Sequence, residues 1–164
     1  MELEDQSELN QWLQTAQIIQ VFNRYFRALD EKHFDVSHFQ QIFTNDAKIV
    51  RPHGAITIGP NAIAHSHSES FARFTGSQHL LTGQDVTITD NTASIRANLV
   101  AIHLWKDKPA DANMLESSFT AGGIITADLL HTPDGWRITR MDNHVLWRLG
   151  SFRDMLQTGK ERSS

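Results

Sequence analysis

Strand follows strand from residue 78 to residue 147 with short turns between most of them, and three helical patterns lie before that run. Gln78 to Thr89 alternates at Val86 and Ile88, and Asp90-Asn91 makes a hairpin turn into Thr92 to Trp105. Ser118 to Leu130 is the next strand, Pro133-Asp134-Gly135 turns tightly, and Trp136 to Trp147 is the last, with Gly150 as its stop. Lys106 to Glu116 carries Pro109 among charged and small residues and is expected to be a mobile loop. Consecutive strands joined by short turns pair antiparallel, and helices grouped ahead of them must pack together on one face. A sheet covered on one side curls. The expectation is an α+β fold: a cone-shaped barrel of curved antiparallel sheet with three N-terminal helices packed over a central pocket.

The first helix is read from Leu9, Trp12, Ala16, Ile19, Phe22, Phe26 and Leu29, which recur at spacings of three and four. Its pattern stops near Asp30-Glu31-Lys32-His33. Val36 to Phe43 reads as a short second helix and Thr44-Asn45-Asp46 as a turn. Lys48 to Pro52 and Ala55 to Ile58 read as short strands. Gly59-Pro60-Asn61 opens a third helix, Ala62 to Phe74, which Thr75-Gly76-Ser77 breaks. Phe152 to Leu156 adds a possible terminal helix. The expected organisation is one domain over 10–157, an N-terminal tail over 1–9 and a disordered tail over 158–164.

Composition narrows the function classes. The formal charge is −4 with no basic cluster, so a nucleic-acid partner is not expected. No apolar run approaches the ~18 residues that a membrane span needs, and Met1 to Asn10 is acidic and polar, unlike a signal peptide. The chain has no cysteine, which excludes disulfides, thiolate metal sites and a cysteine nucleophile, and fits a cytoplasmic location. His65 and His67 are two apart on a predicted helix and diverge, and no H-x-x-x-H pattern occurs, so no metal site is expected. Gly122-Gly123 lacks the lysine of a phosphate loop and reads as a place of close backbone packing.

Several pieces are familiar in their order. They are Tyr25-Phe26-Arg27-Ala28-Leu29-Asp30 ending the first helix, Phe43-Thr44-Asn45-Asp46-Ala47, Gly59-Pro60, Gln78-His79-Leu80-Leu81-Thr82 opening a strand, Gly122-Gly123, and Asp134-Gly135-Trp136-Arg137-Ile138. Together they resemble the SnoaL-like branch of the nuclear transport factor 2-like superfamily, over roughly residues 10 to 150. The resemblance is greatest to cofactor-free lyases: scytalone dehydratase, bile acid 7α-dehydratase and hexachlorocyclohexane dehydrochlorinase. It implies an aspartate at the end of the first helix working with a histidine at the start of a strand, and Asp30 and His79 fall on those positions. It also implies roles for Tyr25 near the helix end and for His103 one strand later. A homo-oligomer, a trimer rather than a dimer, is implied as well. The superfamily also contains non-catalytic binding and association domains and polyketide cyclases.

The chemistry of these residues is coherent. A carboxylate bonded to one imidazole nitrogen fixes the tautomer and leaves the other nitrogen to take a proton. Such a pair suits proton abstraction beside a leaving group or carbonyl and needs no metal or organic cofactor. The alternative reading is that Asp30 caps a turn and His79 is an ordinary strand residue. His103 shares strand parity with Leu99 and Ala101, a small apolar wall suited to a small-molecule substrate. On the last strand, Met141, Asn143 and Trp147 share one parity and are expected to contact substrate, with Trp136, Ile138 and Arg140 on the other. The dehydrochlorinase-like pattern has an arginine where Met141 stands, a departure that weakens dehydrochlorination as the reaction. The expected function is a cofactor-independent lyase or isomerase acting on an apolar cyclic or polyketide-like molecule, the alternatives being a binding domain or a cyclase.

Overall fold

Alternation of small apolar and polar residues makes the long strands half-buried, and their pairing sets the architecture of the computed structural model, which describes residues 2–106 and 117–151. The elements in chain order are α1 (Glu2–Asp30), α2 (Val36–Gln40), β1 (Phe43–Val50), β2 (Ile56–Ile58), α3 (Pro60–Phe71), β3 (Phe74–Thr89), β4 (Thr92–Trp105), β5 (Ser118–Thr132) and β6 (Gly135–Gly150). One sheet of six strands runs β2-β1-β6-β5-β4-β3. The pairs β3–β4, β4–β5 and β5–β6 are antiparallel, as the short turns dictate for the first and the last. Between β1 and β6 the pairing is parallel, so the sheet is mixed rather than wholly antiparallel. It is also unclosed, ending at β2 and β3. The long excursion through α3, β3, β4 and β5 is what lets the first and last strands run in the same direction.

On β4 the alternation is complete: Ala93, Ile95, Ala97, Leu99, Ala101, His103 and Trp105 are buried and their neighbours are not. The second half of α1 lies over this face with Ile18, Phe22, Tyr25, Phe26 and Leu29. Burying each such side chain contributes roughly 1.5–3 kcal/mol. The first half of α1 differs from the sequence reading. The helix continues back through the expected tail, and Leu9 and Trp12, two of the stripe residues, are 62% and 68% exposed.

Other boundaries moved for identifiable reasons. Thr44, Asn45 and Asp46 form an irregularity within β1, where the register against β6 shifts between Phe43 and Lys48, and not a turn before the strand. Pro60 starts α3 at its first turn, and the helix ends at Phe71, so Phe74 to Ser77 belongs to β3. Of the loop expected at 106–116, residues 107–116 lie outside the described residues, as do the terminal helix expected at 152–156 and the tail at 158–164.

Two bulges redirect β6. Leu129 pairs with Ile138 and Asp128 with Arg140, which leaves Thr139 as an extra residue. Trp136 and Ile138 therefore share the buried face with Met141, not with Arg140 as strict alternation requires. Gly123 pairs with Val145 but Gly122 with Trp147, so Leu146 is also extra. A side chain at Gly122 would collide with the Trp147 indole, and one at Gly123 with the His144 carbonyl. Close approach at these bulges is why two glycines stand together.

Candidate functional site

Asp30 is delivered by the way α1 stops. Lys32 adopts φ 54°, its N–H reaches the Leu29 carbonyl at 3.3 Å, and the His33 N–H reaches the Ala28 carbonyl at 2.8 Å. This is the paired termination that usually uses glycine. Lys32 then donates to the Phe74 carbonyl at 2.5 Å, tying the helix end to the start of β3. Asp30 is thereby held against His79, which lies on the inward face of β3 opposite Ala101.

The carboxylate grips the histidine twice. Asp30 Oδ2 accepts the His79 backbone N–H at 3.0 Å, and Oδ1 lies 2.6 Å from ring Nδ1. The His79 side chain is 5% exposed and that of Asp30 is 26% exposed. With Nδ1–H bound to the carboxylate, Nε2 is the nitrogen that carries a lone pair. It has no hydrogen-bond partner among the described residues. Phe26, Phe71 and His103 surround the ring with centroids 5.5, 6.0 and 5.4 Å away.

His103 sits opposite Ser77 on the same inner face, with Nδ1 2.8 Å from Ser77 Oγ. Phe74 and Phe119 pack on it at 4.7 and 4.6 Å. Burial first, and then the neighbouring His79, push it down to about 3, so the ring is neutral near pH 7. Leu99 and Ala101 line the same face of β4, and Met141 is fully buried on β6. Asn143 pairs with Ile125 on that inner face, and its Oδ1 is buried without a hydrogen-bond partner among the described residues.

Tyr25 points elsewhere. Five positions before Asp30, it turns toward α3, where its hydroxyl lies 2.7 Å from His67 Nε2. Burial raises the phenol well above its ordinary value, so it keeps its proton. Trp147 is a correction. The Leu146 bulge carries it across the sheet, so it stacks over Gly122 on the outer face, 44% exposed, away from the cone interior. Arg140 faces solvent and is paired with Asp142 at 2.6 and 2.8 Å.

The sequence reading missed His67, Arg51 and Ser77. His67 lies on the buried stripe Ile63, Ala64, His67, Phe71 of α3, a helical spacing that separates it from the exposed His65. Ser77 has the same strand parity as His79, which was hidden by reading residues 75–77 as a break. Among the described residues no group of three or more histidines and carboxylates is placed to hold a metal ion. No helix among them is long and apolar enough to cross a membrane.

Two surface clefts lie away from the pair. One, of about 400 Å³, is lined by Thr87, Ser94, Leu129 and Thr139 at the far end of the sheet. The other, of about 460 Å³, runs along the start of α1 beside Ile88. Aromatic rings instead line the interior next to His79.

Comparison with known proteins agrees with this architecture. The family model described as SnoaL-like domain matches residues 10–142. A protein of Kribbella flavida, Kfla4162, superposes with a TM-score of 0.74 at 23% identity, over 84% of this chain and 93% of that one. A provisionally assigned scytalone dehydratase of Novosphingobium aromaticivorans gives 0.71 at 14% identity, over 92% of each chain. The type-3 hexachlorocyclohexane dehydrochlorinase of Novosphingobium barchaimii gives 0.72 at 11% identity, over 89% of this chain and 95% of that one. At these identities the structures speak for the fold. No curated protein sequence matches the chain.

Proposed function

This chain belongs to the SnoaL-like domain family, and from that premise we propose that it is a lyase or isomerase whose general base is His79. The observation that carries the reading is the double grip of Asp30 on His79, which fixes Nδ1–H and leaves Nε2 to take a proton. In a dehydration, Nε2 removes a proton from the carbon beside a carbonyl. The C–H electron pair becomes the C=C bond, the C–O bond to the neighbouring carbon breaks, and the departing hydroxide takes the proton now on Nε2 and leaves as water. The imidazolium is stabilised by Asp30 until it returns its proton. His103, held neutral, offers a hydrogen bond to a substrate oxygen, and Asn143 Oδ1, which has no partner among the described residues, accepts one from a substrate hydroxyl. Phe26 and Phe71 pack on the His79 ring beside the single polar neighbour His103, which favours a small, largely apolar cyclic or polyketide-like substrate, and the chemistry calls for no cofactor.

A panel of cyclic β-hydroxy ketones incubated with the protein and followed by mass spectrometry tests this. Loss of water from at least one member is the expected result. The second reading, a binding or association domain, is favoured by the aromatic filling beside His79 and by clefts that lie elsewhere. Ligands that bind and are released unchanged would support it instead.

We also propose that the protein is a homo-oligomer, a trimer before a dimer. On the outer face, Leu80, Val100, Gly122 and Trp147 form one row across four strands, and Ile102 and Leu149 lie in the next. Leu80, Trp147 and Leu149 are exposed, which makes an apolar patch. Light scattering at micromolar concentration showing only monomer would count against it.

A further inference from the structure

A second polar cluster lies in the same interior and plays no part in the Asp30–His79 pair. Arg51, just past β1, donates from one guanidinium nitrogen to Ser66 Oγ at 2.6 Å and to His67 Nδ1 at 3.4 Å. Its other terminal nitrogen reaches Ser70 Oγ at 3.5 Å, and Ser70 in turn donates to the Ser66 carbonyl at 2.8 Å. On its far side, the His67 ring meets the Tyr25 hydroxyl at 2.7 Å.

The direction of these bonds follows from what each group can do. A guanidinium only donates and does not lose its charge in a protein. His67 Nδ1 faces that donor, so it is the nitrogen with the lone pair. Burial and the adjacent Arg51 push His67 down to about 3, which keeps the ring neutral. Its single proton is then on Nε2, the nitrogen facing Tyr25. His67 donates, and Tyr25 Oη accepts. A phenol that accepts still has its own proton to give, and no other described residue takes it.

Tyr25 lies one ring away from His79: Phe26 packs against both, with centroids 4.9 Å and 5.5 Å away. Phe71 packs against both histidines, with centroids 6.2 Å from His67 and 6.0 Å from His79. Removing Arg51 would release the constraint on Nδ1. Tyr25 could then spend its proton on His67, and nothing would be left for a ligand.

We propose that Arg51 and His67 are positioning residues that hold Tyr25 as an acceptor and so reserve its phenolic proton for a carbonyl or developing enolate oxygen of the bound molecule. This rests on the reading that the interior receives a substrate, but its test needs none. The full chain labelled with ¹⁵N-histidine, with no ligand added, is studied by long-range ¹H–¹⁵N correlation at neutral pH. His67 is expected in the Nε2–H form. In Arg51→Met that preference is expected to be lost, with Nδ1–H appearing. Should Arg51→Met fail to fold, Tyr25→Phe serves: the Nε2–H form is expected to persist because Arg51 sets it. An Nδ1–H ring in the unmodified protein, or a switch to Nδ1–H in Tyr25→Phe, overturns the proposal. Neither result touches the Asp30–His79 pair, whose failure is read from turnover alone.

Discussion

His79 and His67 occupy the same interior, and their partners give them opposite properties. A carboxylate at the end of α1 holds Nδ1–H of the first and exposes a basic Nε2. A guanidinium faces Nδ1 of the second, which puts its proton on Nε2 and makes the ring a donor. Burial alone does not set the difference, since both side chains are largely enclosed. The sign of the nearest charge separates them: an anion supports a base that takes a proton, and a cation supports a neutral relay.

The largest expected effect tests the anionic side. Asp30→Asn replaces the acceptor of Nδ1–H with a group that no longer dictates the tautomer, and turnover of a dehydrated substrate is expected to fall by about 10²- to 10⁴-fold. Circular dichroism is expected to show an intact fold. A variant that keeps nearly full activity breaks the comparison, because the carboxylate would then be merely structural.

Acid sharpens the comparison next. An unfolded histidine binds a proton below about 6.5, whereas folded His67 and His103 do so only near 3. Between those values the unfolded chain holds more protons. Stability is therefore full above the unfolded value and declines as pH falls, by at most about 1.4 kcal/mol per pH unit for each ring. Denaturant titrations at pH 7 and pH 5 measure it, and His67→Gln is expected to flatten the dependence. An unchanged acid slope in that variant would mean His67 is not held neutral by its surroundings.

Tyr25→Phe is expected to have the smaller effect on stability. It leaves the buried His67 Nε2–H without an acceptor, which costs about 1–3 kcal/mol. Thermal or denaturant unfolding reads this directly, and no loss at all would show that the Tyr25–His67 bond contributes nothing to the folded state.

Much of this was legible in the residues. Complete alternation from Ala93 to Trp105 located β4 to the residue and put His103 inward, because nothing interrupts its pleat. Asp30 and His79 were found through a resemblance. Spacing alone could not show that a non-glycine Lys32 would adopt a left-handed conformation and turn the helix end toward β3. Trp147 was misplaced for a similar reason. A two-residue period holds only until a bulge, and the extra Leu146 is invisible until the partner strand is known. Arg51 was illegible because its role depends on α3 packing beside the end of β1, a contact between residues 15 to 19 positions apart. The exposed Leu9 and Trp12 show the reverse case: a helical stripe persists in sequence where the fold leaves its side chains uncovered.

The central claim is that Nε2 of His79 takes the substrate proton, and the most direct measurement is turnover by His79→Ala beside the unmodified protein on the same dehydrated substrate. With the fold verified by circular dichroism, the account predicts a loss of about 10²-fold or more. Near-normal turnover by the folded variant would contradict it.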